Sequence, residues 1–525
     1  METVVWYDTT LRDGTQQAGL SLSAEDKRKI ARRLIDFGIP LVEGGWPSSN
    51  PKDEEFFRTA PAALGRERLV AFGATRRAGV RPEADPQVRA LLAPEVATVA
   101  IVGKASRFQA ERVLRVDPDE NLRMIEDTVA FARAAGRAVV FDAEHFFDGF
   151  ADDSGYAVAC LEAAARGGAA WLVLCDTNGG ALPAAVARAS ARAAQAGAPL
   201  GVHTHNDGGL AVANALAAVE AGARMVQGTV NGYGERCGNA DLCQLLPALQ
   251  LKLGYRVVDD GKLEELVHLA RFVAEVANMP LSDSHPYVGV NAFTHKGGLH
   301  ASGVARDARA YEHIPPERVG AKRRVVLSEL AGQASLGAGL GHLGLGREAA
   351  AALLGEIKRR EHAGYRYEDA EASLEVLARS LGGESAPFEL AHYRVVADGP
   401  SGRAEATAAV QVGERESHAA AFGNGPVAAL DRAVRKALGG LFPSLARVHL
   451  VDYKVRVIDG SAGTSALVRV WMESTDGERT WRTVGVSGDV VAASAQALVD
   501  ALRAALPAPT GATAEPLPGP ARSRA

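Results

Sequence analysis

No apolar run in the chain approaches the roughly 18 residues that a membrane-spanning helix needs, so a membrane-embedded protein is not expected. The N-terminus enters a strand-like alternation at once, METVVWYDTT, without the basic stretch and apolar core of a secretory signal. A cytoplasmic location is the expectation. Only four cysteines occur, Cys160, Cys175, Cys237 and Cys243; they lack zinc-type pairing, and Cys175 sits in an apolar run that predicts a buried thiol. Disulfides are not expected. Basic blocks are missing too: the formal charge is -5, and phosphate neutralisation needs clustered Lys and Arg. Small molecules therefore fit better than nucleic acid as partners.

What is present reads as a multidomain globular enzyme. With 525 residues the chain exceeds one ordinary core, and 47% hydrophobic against 23% charged residues is a globular balance. Up to about residue 255, short β-rich runs alternate with helical patterns, as in βα units that build a parallel sheet. Eight strands are predicted: Val4 to Tyr7, Leu41 to Glu43, Leu69 to Phe72, Thr98 to Val102, Ala138 to Phe141, Trp171 to Cys175, Gly201 to His205, and Met225 to Val230. The first helix carries its own boundary chemistry, with Ser23 as cap, Asp26 three residues on and Gly38 at the last turn. Eight units over about 250 residues favour a closed (β/α)8 TIM barrel over an open doubly wound sheet.

Residues 256–385 read as helices joined by glycine-rich connections such as THKGGLHASG, a helical linker subdomain. From Phe388 β-runs return (FELAHYRVVAD, ATAAVQV, SHAAAF), followed by a helix from Pro426. The pattern then repeats with VHLVDYKVRVID, ALVRVW and TWRTVGV before a helix from Val490 to Leu506, so residues 386–507 form an α+β domain of two βββα modules. The last stretch, 508–525, is rich in Pro, Gly and Ala and predicts a disordered tail.

Barrels of this kind hold reactive groups at the C-terminal ends of their strands. The predicted ends supply Arg12 and Asp13, Glu43, Lys104, Glu144 and His145, then Asp176, Thr177 and Asn178. The last two strands add His203, His205, Asn206 and Asp207, and Asn231, Glu235, Arg236 and Asn239. His203 and His205 are two apart on one strand and point to the same side; with Asp13 they make an N,N,O set for a divalent metal. The plainer alternative for HTHND is a polar strand end with satisfied histidines, and for LRDG a simple turn. Asn239 either adds a weak ligand or caps the following helix. Lys104 and Glu235 are the least specific, since rim charges are often only solvated.

The motifs YDTTLRDGTQQ, HTHNDGGLAVANALAAVEAGA, GTVNGYGERCGNADL and NAFTHKGGLH resemble those of the isopropylmalate, homocitrate and citramalate synthases. FGNGPVAALDRAV is similar to the regulatory domain found in that family. The resemblance covers nearly the whole chain. It implies an acyltransferase that joins acetyl-CoA, its cosubstrate, to a 2-oxo acid with a divalent metal cation, held by Asp13, His203 and His205 with Asn239 a lesser ligand. It implies further that Arg12, Glu144 and Thr177 line the 2-oxo acid and that His300 and Tyr311 reach over the barrel mouth. His300 is then the candidate base, tuned by Tyr311 and Glu144, with His295 competing for the role. A homodimer with an amino-acid feedback effector is also implied.

Three segments resemble the citramalate branch: EGGWPSSNPKD, FDAEHFFDG and HASG, the last putting Ser302 where relatives often have an acid, so no catalytic role is carried onto Ser302. That branch implies pyruvate as acceptor and isoleucine as effector. A methyl-sized acceptor needs a filled pocket, and Phe141, Phe146 and Phe147 are the candidates to fill it. Isopropylmalate or homocitrate synthase activity is the alternative within the family. Outside it stand a metal-dependent lyase or aldolase on the same barrel, which has no use for the long C-terminal domain, and a regulatory binding protein, which has no use for the polar rim.

Overall fold

The computed structural model describes residues 2–506 except 48, 260, 297, 327–344 and 459, so the tail predicted at 508–525 lies outside the described residues. Eight parallel strands close a barrel in sequence order: β1 (Val5–Asp8), β2 (Leu41–Gly45), β3 (Leu69–Ala74), β4 (Thr98–Lys104), β5 (Ala138–Glu144), β6 (Trp171–Asp176), β7 (Leu200–Thr204) and β8 (Met225–Gly228). β1 pairs with both β2 and β8, so no strand edge is left open. The strands are runs of β-branched and small apolar residues because both faces are covered.

Alternation divides these residues between two cores. Tyr7, Val70, Phe72, Val140, Val173 and Met225 pack inside the barrel, whereas Trp6, Ile101, Phe141 and Leu172 face the surrounding helices. The helix Ala24–Phe37 starts on the predicted capping box, Ser23 accepting from Asp26 N–H and Asp26 from Ser23 N–H, and stops at Gly38 in the left-handed region, φ 108°. β4 and β5 run further than predicted, to Lys104 and Glu144, since residues 102–104 pair with 142–144 in register. β8 stops at Gly228, short of the predicted Val230, because Thr229 turns to bridge Asp241.

The chain forms two compact units, Met1–Phe293 with Ile314–Arg323, and Thr294–His313 with Arg324–Ala525. The second contains the short parallel pairing of β9 (Thr294–His295) with β10 (Arg324–Val325), too short for alternation to betray in sequence. It then carries two antiparallel three-stranded sheets: β11 (Glu389–Asp398), β12 (Arg403–Val412), β13 (Arg415–Gly423), and β14 (His449–Val457), β15 (Val468–Thr475), β16 (Thr480–Ser487). Each sheet is followed by a helix, Pro426–Leu438 and Val490–Ala504, and both modules contribute to one core through Val410, Leu430, Val434, Val470 and Leu498. Their likeness extends to irregularities: a bulge breaks the register after Leu390 in β11 and after Leu450 in β14. Among the described residues no helix is long and apolar enough to cross a membrane.

Candidate active site

The inward-facing residues at the C-terminal ends of the barrel strands enclose a cavity of about 380 Å³. One wall is polar: Asp13, Glu144, Thr177, His203 and His205. The opposite wall is apolar, made by Trp46 after β2, Phe72 and Ala74 of β3, and Val102 of β4. Phe141, Phe146 and Phe147 do not line it. Phe141 is one step out of phase with Val140 and Asp142 and so faces the helix layer, while Phe146 and Phe147 begin the next helix and bury in that same layer. Trp46 and Phe72 stand in the place expected for Phe141, Phe146 and Phe147.

Asp13, His203 and His205 meet on the polar side. The two Nε2 atoms are 3.2 Å apart, and Asp13 Oδ2 is 3.1 Å from that of His203 and 3.8 Å from that of His205. All three residues are buried. Burial opposes a charge on Asp13, yet the Arg12 guanidinium and the two histidines hold its carboxyl well below the usual range. Burial and the neighbouring His203 press His205 down to about 4, keeping it a neutral donor. Burial likewise works against a charge on His203, and the Asp13 carboxylate more than offsets it.

The residues present fit a divalent cation. Two imidazole nitrogens aimed at each other and at one carboxylate oxygen form the N,N,O donor set that such a cation takes. Asn239 gives its Nδ2 hydrogen to Asp13 Oδ2 at 2.9 Å, while its own buried Oδ1 has no hydrogen-bond partner. The helix cap that the sequence left open for Asn239 is Asp241, which accepts from Cys243 N–H. His203 is oriented by residues that sequence reasoning passed over: its Nδ1 lies 2.8 Å from Gln227 Oε1, and Gln227 Nε2 donates to Asp142 Oδ1 at 2.8 Å. Both lie inside strands, where a polar residue on the inward phase is the signal available in sequence. Asp142 is raised to about 7, chiefly by burial.

Arg12 donates from Nε to Glu43 Oε1 at 2.5 Å and lies over the Phe72 ring, 3.9 Å from its centroid. Glu43 also accepts from the Tyr7 hydroxyl. Lys104 is more than a solvated rim charge: neighbouring Glu144 in register, it forms an ion pair with it at the cavity wall. Thr177 Oγ1 accepts from the His145 amide, so its own hydrogen remains to donate. Arg236 lines the cavity while held by Asp207 and by the Thr177 carbonyl. Several other rim residues serve the fold instead. Asn178 bonds to Asp148, Asn206 accepts from Ala211 N–H, Asp176 accepts from Asn214 and Ala181, and Asn231 donates to Ala270 O.

His300 and Tyr311 belong to the second unit, where their rings stack with centroids 4.2 Å apart. His295 is buried in the same unit and faces Glu312 at 3.2 Å.

Residues 3–273 match the family model described as HMGL-like, residues 287–362 that of the homocitrate synthase post-HMGL domain-like family, and residues 368–506 that of the LeuA allosteric (dimerisation) domain. The (R)-citramalate synthase of Aquifex aeolicus is 49% identical over 95% of this chain and 97% of its own length. That of Synechocystis is 47% identical over 95% and 96%. The chain belongs to the citramalate synthase family. A probable 2-isopropylmalate synthase from Methanopyrus kandleri is similar over the same span, 94% of this chain and 96% of its own, but at 36% identity. For a member of the citramalate synthase family the segment EGGWPSSNPKD acquires a place in space: it delivers Trp46 to the apolar wall of the cavity.

Proposed function

We propose that the protein is an (R)-citramalate synthase that condenses acetyl-CoA with pyruvate and releases free CoA. The observation that carries this reading is the two-walled cavity, with Asp13, His203 and His205 on one side and Trp46, Phe72 and Val102 on the other. A 2-oxo acid has the matching shape, two oxygens at one end and an alkyl group at the other.

Asp13, His203 and His205 would hold a divalent cation, with Asn239 beside them; when bound it supplies Lewis-acid polarisation of a keto group. Arg12, fixed by Glu43 and Phe72, brings positive charge to the oxygens of the acceptor, and the Thr177 hydroxyl donates to its carboxylate. Glu144, paired to Lys104, borders the same space. A base takes a proton from the acetyl methyl group, and the enolate carbon forms a bond to the keto carbon of pyruvate. The carbonyl electron pair moves to oxygen, which takes up a proton, and water then cleaves the thioester so that CoA leaves as its thiol. His300 is proposed as the base, with Tyr311 stacked on it; the pairing of His295 with Glu312 favours His300 over it.

The same reading makes residues 1–255 catalytic, 256–385 connecting and 386–507 regulatory, in a cytoplasmic homodimer that serves isoleucine biosynthesis and answers to isoleucine. The match of residues 368–506 to an allosteric (dimerisation) domain supports the dimer and the regulatory role of that region. The test is CoA release by the purified enzyme with acetyl-CoA and pyruvate, 2-oxoisovalerate or 2-oxoglutarate. Pyruvate is expected to give the highest kcat/KM and 2-oxoglutarate the lowest. A higher value for 2-oxoisovalerate would make the chain an isopropylmalate synthase, and no CoA release with any acid would return it to the lyases.

A further inference from the structure

The apolar wall rests on a construction that no part of the reaction requires. Trp46 stands at the end of β2 and meets Phe72 edge to face, centroids 5.4 Å apart and planes at 76°. Phe72 in turn carries the Arg12 guanidinium on its ring. Behind Trp46, the Asp53 carboxylate accepts from the Trp46 amide at 2.9 Å, and its other oxygen is ion-paired with Lys27. Lys27 also donates to the Gly44 carbonyl at 3.1 Å. Both charged residues are buried, Lys27 at 4% and Asp53 at 5% exposure. A buried ion pair is costly to assemble and gives no assurance of stability, so one at this place calls for another reason.

The two residues before Trp46 admit only glycine. A Cβ on Gly44 would collide with the Phe56 ring, and one on Gly45, at φ 145°, with the Asp53 carboxylate. Asn50 caps the helix Pro51–Leu64 by accepting from Asp53 N–H, which fixes the start of the helix that carries Asp53. Ser49 donates from both its amide and its hydroxyl to the Trp46 carbonyl. The backbone around Trp46 is thus held at the Trp46 amide, the Trp46 carbonyl and the Gly44 carbonyl two residues earlier.

We propose that Trp46 is the specificity-determining residue of the cavity, limiting the alkyl group of the acceptor to methyl size, and that Lys27 and Asp53 are positioning residues that hold it against Phe72. The proposal deepens the reading of the cavity as a 2-oxo acid site and rests on it. A side chain with the same size but a free backbone would swing away from a branched acceptor; one clamped at both peptide groups makes the acceptor bear the overlap. The same clamp keeps Phe72 under Arg12, so acceptor size and acceptor charge are read by neighbouring parts of one assembly.

The experiment compares kcat/KM for pyruvate and 2-oxoisovalerate, by CoA release, in wild type, Trp46→Phe, Trp46→Leu, Trp46→Ala and Asp53→Asn, each checked by its thermal midpoint. The ratio favouring pyruvate is expected to fall by about tenfold or more in Trp46→Leu and Trp46→Ala, the effect of one or two carbons in an apolar pocket. Trp46→Phe should restore much of it. Asp53→Asn, which keeps the shape but not the ion pair, should lower the ratio mainly through a better KM for 2-oxoisovalerate, a change that general loosening of the fold does not produce. A folded Trp46→Leu with the wild-type ratio overturns the assignment of Trp46, and a lower Asp53→Asn midpoint with the ratio intact overturns that of the clamp. If instead the wild type itself prefers 2-oxoisovalerate, the reading of the cavity has failed, and the variants are not what decided it.

Discussion

Gln227 Oε1 lies 2.8 Å from Nδ1 of His203, and because the Gln227 amide nitrogen is already committed to Asp142, its oxygen must accept. His203 therefore carries a hydrogen on Nδ1, which leaves Nε2 as the nitrogen that faces Asp13 and His205 and would take a cation. The tautomer is set by a residue of the next strand.

Replacing Gln227 by Leu removes that acceptor and should weaken divalent-cation binding by roughly 10- to 100-fold, the usual effect of losing a ligand's orienting partner. Calorimetric titration of chelator-treated protein with Mn²⁺ or Zn²⁺ measures it. His203→Ala, which loses the ligand itself, should bind more weakly still and show no recovery of turnover on re-addition of metal. Full activity in that variant contradicts the site.

Glu144→Gln keeps the shape of the side chain and loses the charge that answers Lys104. Turnover with pyruvate should fall strongly while the thermal midpoint moves little, the pair being partly open to solvent with side-chain exposures of 19% and 27%. A wild-type rate would make the pair structural.

Asp8 offers a pH test away from the metal ligands. It is fully buried at the end of β1, accepts from the Thr10 amide and hydroxyl, and is raised by burial to about 7 from an ordinary 3.8. A carboxyl with a raised folded pKa contributes its stability in full below the unfolded value and loses it as pH climbs through the folded one. The wild type should therefore lose stability from pH 4 to 7, and Asp8→Asn, which cannot ionise, should gain on it over that interval. Thermal midpoints of both proteins at pH 4.5, 6 and 8 suffice. A constant difference between them would show that Asp8 does not titrate there.

Isoleucine should inhibit CoA release, with its site and the barrel cavity coupled by a free energy of about 1 to 3 kcal/mol. Deleting everything from Phe388 onward is a poor way to ask, since Leu353, Ile357, Leu374 and Leu377 bury against one another together with Val484 of β16. Leu430→Ala inside the regulatory core, at an expected cost of about 2 to 5 kcal/mol, should weaken the isoleucine response first and the pyruvate KM little. Uninhibited wild-type enzyme refutes the effector.

The barrel was legible because its evidence is repeated: eight apolar runs separated by helical patterns, and a first helix announced by Ser23, Asp26 and Gly38. Asp13, His203 and His205 were legible for a different reason, the two-residue spacing that puts both imidazoles on one face. Direction was the part that failed. Phe141 reads as a pocket residue from its closeness to Glu144, but one residue of phase sends it outward, and the three-dimensional neighbour of Arg12 is Phe72, sixty residues away. Trp46 was visible only as part of a motif, because nothing local says that Asp53 and Lys27 will clamp it. Gln227 and Asp142 look like ordinary strand polarity until the closed sheet faces them toward each other across the barrel.

The pairing of β1 with β8 means that the first strand made, though β2 follows it closely, is among the last to find its second neighbour. Val5 must wait for Met225, and Val4 donates to the carbonyl of Arg256. While the ribosome extends the intervening two hundred residues, β1 offers an unpaired edge to any other nascent chain, and Asp13 has no histidine to meet. Closure of so distant a contact is slow, and it completes the sheet and the cation cluster in the same event. Asp13 and the two histidines thus come within reach of one another only when the ends of the barrel meet, so a cation held by all three would be captured no earlier than closure.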